Sequence, residues 1–89
     1  MNTKQFKDFL RAGPYAWPGG YPMFFIMDDG EPLSFAAACD NVKLILRAIR
    51  EHSRDGWRVA GVDINWEDEA LYCAHTGERI ESAYGEAQS

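Results

Sequence analysis

A chain of 89 residues has room for one hydrophobic core, and a domain near this length hides only about 60% of its unfolded surface. At 46% hydrophobic and 26% charged, with aromatics at 13%, the composition excludes a wholly disordered chain. A net charge of −5, from 14 acids and 9 bases, opposes attraction to phosphate backbones, and no run approaches the ~18 apolar residues of a membrane span.

The opening MNTKQFKDFLRAG has neither an uninterrupted apolar segment nor a small-residue cleavage site, so the expectation is a cytoplasmic protein without membrane contact. Within it, Phe6, Phe9 and Leu10 recur at i, i+3 and i+4, which predicts a short amphipathic helix capped by Asn2 or Thr3 and ended by Gly13-Pro14. Next comes YAWPGGYP, Tyr15 to Pro22, with three aromatic rings, two prolines and a double glycine. Trp17-Pro18 and Tyr21-Pro22 hold both pre-proline residues extended, and Gly19-Gly20 permits a reversal between them. Rings held this way suit an interface, and they equally suit a roof over the core; Trp17 is assigned to the roof, Tyr15 and Tyr21 to contact with a partner.

MFFIM, Met23 to Met27, is apolar on both alternating faces and predicts a central strand. Asp29-Gly30 suits a two-residue hairpin turn, and Pro32 confines the return segment to a sheet edge. Ser34 is the expected N-cap of one long helix, FAAACDNVKLILRAIREHSR, ending at Asp55-Gly56, with Phe35, Ala38, Val42, Ile45, Leu46 and Ile49 as its buried stripe. In WRVAGVDINW the apolar parity changes at Ala60-Gly61, where an interior glycine suggests a bulge. ALYCAHT, a turn at Gly77-Glu78 and RIESAY complete an expected three-stranded meander. The fold class is therefore α+β: a short N-terminal helix, a β-hairpin, and a long helix packed on an antiparallel sheet that the C-terminal meander completes. One domain over residues 1–84 is expected, with 85–89 as a flexible tail.

Few constellations carry chemistry. HTGER, His75 to Arg79, is similar to the linker of tandem zinc fingers, but Ala70 and Leu71 stand where a second His is required and no CxxC exists. Cys39 and His52 lie thirteen residues apart on the expected helix, about 20 Å, so with Cys73 and His75 they cannot close one zinc site unless that helix breaks. Cys73 and His75 share a strand face and leave a partial metal site as an alternative; otherwise Cys73 is a core residue and His75 a strand residue. Two cysteines are too few for a disulfide scaffold, and free thiols are the expectation, with no cofactor.

Asp63, Glu67, Asp68 and Glu69 cluster at one turn, and Asp28, Asp29 and Glu31 at another, where solvated hairpin tips or a carboxylate face for a basic partner account for them. Lys43, Arg47, Arg50 and Arg54, spaced four, three and four, form a basic stripe on the expected helix, which leaves a nucleic-acid-binding face as a second alternative. No GxGxxG, GxxxxGK or GxSxG pattern supports a nucleotide cradle or a hydrolase.

AWPGGYP, LSF before the long helix, GVDINWED, LYCAHTGERI and ESAYGE together resemble a family of small bacteriophage and prophage proteins of Gram-negative bacteria, over Phe9 to Glu86. The resemblance implies a non-enzymatic accessory protein in the cytoplasm of a bacterial host, binding a host or phage protein, of the kind that inhibits CRISPR or restriction systems. The expected contact residues are Tyr15, Trp17, Tyr21, Asp28, Asp29, Trp66, Glu67, Asp68 and Glu69, in a monomer or small homo-oligomer.

Overall fold

The computed structural model describes residues 1–16, 19–68 and 70–83. Trp17 and Glu69, both expected contact residues, and the expected tail lie outside the described residues.

Helix α1, Thr3–Ala12, begins with a capping box in which the Gln5 N–H donates to Asn2 Oδ1 at 2.8 Å and the Asn2 N–H to Gln5 Oε1 at 3.0 Å. Phe6 is its fully buried residue, and Phe9 and Leu10 pack beside it. Gly13, at φ 95°, turns the chain out of the helix.

The chain then enters β1, Tyr15–Ala16, and returns as β2, Tyr21–Met27. Tyr15 pairs with Pro22 and Ala16 with Tyr21, so the aromatic stretch is itself a small hairpin, which its prolines disguised. β2 is the expected central strand. β1 and β3, Pro32–Leu33, follow one another along one edge of it, and β4, Val59–Ile64, runs along the other. The link to β3 is a three-residue loop, Asp28 to Gly30, closed by the Met27 N–H donating to Glu31 O, with Gly30 at φ 83°; the sequence pointed to a two-residue turn. The bulge expected at Ala60-Gly61 is present: Ile26 pairs with Gly61 and Met27 with Val59, which leaves Ala60 without an opposite number.

The single long helix is corrected to two. α2 is Phe35–Asp40 and α3 is Val42–Glu51. At the break, Asn41 Nδ2 donates to Ala37 O at 2.8 Å, so the side chain takes the carbonyl that the Asn41 N–H would use in a continuous helix, and that N–H moves to Ala38 O. α3 also ends earlier than expected, because His52 adopts the left-handed conformation at φ 52°, ψ 41° and donates to Ala48 and Ile49 O.

Of the expected three-stranded meander, β4 forms a full strand, and the rest is a short hairpin with one bridge, Tyr72 to Arg79, around a turn at 74–77. This hairpin ties into both sides of the sheet: the Ala74 N–H donates to Pro32 O and the Ala83 N–H to Asn65 O. In the core, Phe25 sits between Phe6, 5.2 Å away, and Phe35, stacked at 4.5 Å, with Ile45 and Ile49 from α3 and Val59 from β4 in the same buried cluster. No helix among the described residues is long and apolar enough to cross a membrane.

Candidate functional site

The aromatic and acidic residues expected to make contacts divide between the two ends of β2. Tyr21 opens the strand and Asp28 follows its last residue, a separation of about 20 Å along seven extended residues. Asp28 and Asp29 therefore belong to a different surface from Tyr15, Tyr21 and Trp66. Asp29 is spent locally, its Oδ1 accepting the Glu31 N–H at 3.0 Å, and Asp28 is half-buried with an Oδ1 that has no partner among the described residues.

At the Tyr21 end the structure gathers a ledge. The rings of Tyr21 and Trp66 meet at a centroid distance of 4.7 Å, and Trp66 stays 44% exposed. Across β1, the Tyr15 hydroxyl donates to Glu81 Oε2 at 2.7 Å. That bond raises the Tyr15 pKa above its usual 10.0, because the neutral phenol is the donor; partial burial and the Glu81 charge act in the same direction.

The residue that assembles this end is Asn65, which the sequence did not single out. It is buried at 3% exposure, its Nδ2 donates to the carbonyls of Asp68, Ile80 and Glu81 at 3.0–3.2 Å, and its Oδ1 accepts the Asp68 N–H. One amide thus ties the Trp66 turn to the segment carrying Glu81. Its backbone joins in as well, donating to Pro22 O and accepting from Ala83. Glu67 and Asp68 follow Trp66 in the chain and are exposed, and Asp68 Oδ1 accepts the Ala70 N–H at 2.9 Å.

Of the expected basic stripe, Lys43, Arg47 and Arg50 lie on α3 and are exposed. Arg54 lies beyond the end of α3, Arg47 Nε is engaged with Glu51 at 3.3 Å, and Lys43 and Arg50 remain exposed at opposite ends of the helix. Arg50 instead faces a hollow shared with His52 and Arg58.

Cys73 and His75 part company. His75 is exposed and sits edge-on to Trp57 at 5.1 Å, whereas Cys73 is 1% exposed and its Sγ accepts the Ser34 N–H at 3.4 Å. Burial pushes the Cys73 thiol up, but hydrogen bonds from the backbone and side chains of Ser34 and Thr76 outweigh it and bring the pKa to about 7. The helix does break between Cys39 and His52, yet no group of three or more His, Cys, Asp or Glu suited to a metal ion gathers among the described residues. Both cysteines are free thiols, with Cys39 on the surface.

Comparison with known protein families, with characterised proteins and with solved structures finds no match to this chain.

Proposed function

We propose that the chain is a non-catalytic binding module, that its contact surface is the Tyr21–Trp66 ledge with the acids that follow it in the chain, and that its partner is a protein presenting Lys or Arg. The observation that carries this reading is a half-exposed ring pair next to a buried amide and followed in the chain by the exposed acids Glu67 and Asp68. A cationic side chain laid on such a ring gains ~0.5–2 kcal/mol from the quadrupole. Adjacent carboxylates add charge-assisted hydrogen bonds. Because the rings are already ordered, little conformational entropy remains to be lost on binding.

The resemblance to small phage proteins extends the proposal. A host or phage protein that handles nucleic acid, such as a CRISPR or restriction component, exposes a basic face of the kind this ledge complements. A nucleophilic role for Cys73 finds no support, since its thiol is covered while the imidazole of His75 lies in solvent.

Affinity purification from the bacterial host on immobilised wild-type protein, Trp66→Ala and Glu67→Lys tests the reading. A basic partner held by the wild type should be lost roughly tenfold or more in affinity with Trp66→Ala and should weaken with added salt. A partner retained equally by all three proteins overturns the ledge as the contact surface.

A further inference from the structure

A second feature lies away from the ledge. The first turn of α1, the C-terminal end of α3 and the start of β4 enclose an open hollow of about 550 Å3. Its lining includes two cationic side chains, Arg50 and Arg58, and the imidazole of His52. Among the described residues no carboxylate lines it, in a chain that carries 14 acids against 9 bases. Among the described residues, none of these three side chains forms a hydrogen bond or an ion pair, whereas Arg11 and Arg47 are each paired with an acid.

Two guanidinium groups around one concave space repel one another, and an anion between them removes that repulsion. Thr3 adds its backbone N–H and the positive end of α1, because the capping box takes up the Gln5 N–H and leaves that of Thr3 unused. The opposing end of α3 contributes little negative potential, since its Ala48 and Ile49 carbonyls already accept from His52 and Ser53. Ala60, which is exposed, and the partly buried Met1 give the hollow an apolar rim. His52, moreover, is the one non-glycine residue with positive φ among the described residues, in the position where glycine ends a helix at no steric cost.

We infer that this hollow binds a small organic phosphate, the phosphate held by Arg50, His52 and Arg58 and the organic body resting on Met1 and Ala60. A hollow of this volume suits a small molecule. Nucleic acid would need the cations to continue as a track, and Arg47, the next along α3, is already paired with Glu51.

Amide NMR titration with phenyl phosphate, inorganic phosphate, phenol and a short single-stranded DNA tests the assignment. At about 10 mM, above the ~1 mM dissociation constant of a weak anion site, phenyl phosphate should shift Thr3, His52 and Val59 amides; inorganic phosphate should do so more weakly and phenol not at all. Arg50→Gln and Arg58→Gln should each weaken binding about tenfold. His52→Gly separates binding from folding, because it should raise the melting temperature while weakening the phosphate several-fold. Unmoved amides at these positions, unchanged affinity in both arginine variants, or tighter binding of the DNA than of phenyl phosphate overturns the inference.

Discussion

Tyr15 and Glu81, 66 positions apart in the chain, are joined by a 2.7 Å hydrogen bond that pins β1 to the segment after the C-terminal hairpin. The bond needs the phenol protonated. Tyr15 should therefore ionise above 10.0 in the folded protein, and absorbance titration of the phenolate should show this residue returning toward its usual value in Glu81→Gln. Since the folded pKa is raised, the bond's stabilisation is complete below pH 10 and is lost as the pH rises through the folded value. Tyr15→Phe should lower stability by about 0.5–1.5 kcal/mol at neutral pH.

Removing the Asn65 amide should have a larger effect. Asn65→Ala strips a donor from the carbonyls of Asp68, Ile80 and Glu81 in a buried setting, at a cost of roughly 2–4 kcal/mol in urea unfolding. Asn65→Asp should be worse than Asn65→Ala, because a carboxylate would face those oxygens. Equal stability of wild type and Asn65→Ala would remove this residue as the organiser of the ledge.

Cys73 predicts a pH dependence. Its folded pKa of about 7 lies below the usual 9.0, so its contribution to stability is complete above pH 9 and is lost as the pH falls through 7. Unfolding free energy should rise from pH 7 to 9 by at most roughly 3 kcal/mol, and this rise should be missing in Cys73→Ala. Ionisation does not confer access: a thiol reagent should modify the exposed Cys39 promptly and Cys73 only as fast as the fold opens.

Two glycine substitutions should separate backbone strain from collision. Gly77 sits at φ 74° with open space around it, so Gly77→Ala should cost about 1 kcal/mol. A Cβ on Gly19 would lie 2.5 Å from Tyr21 Cε2 and would push the ring away from Trp66. Gly19→Ala should therefore shift the Trp66 indole resonance, while Gly77→Ala should leave it in place.

Periodicity made the core legible. Phe6, Phe25, Phe35, Ile45 and Val59 are buried where the helical and strand spacings put them, and the change of parity at Ala60-Gly61 located the bulge. The break at Asn41 was harder to read, because asparagine within a helix carries a small intrinsic penalty and the decisive event is its side chain capturing Ala37 O. Asn65 left no local trace either: two of its acceptors are 15 and 16 residues further on, and no spacing rule connects an amide to distant carbonyls. The cationic hollow was hidden for a related reason. The stripe lost Arg54 once the helix ended at Glu51, and Arg58 joined Arg50 through the return of the chain into β4.

β2 is the strand to which β1, β3 and β4 each pair. Without residues 21–27 the other three strands would have no ladder partner, since none of them pairs with another. Tolerance to inserted sequence should follow the same geography: the Asp28–Gly30 loop can lengthen at modest entropic cost, whereas a single added residue in the middle of β2 would reverse the facing of every side chain on one side of it.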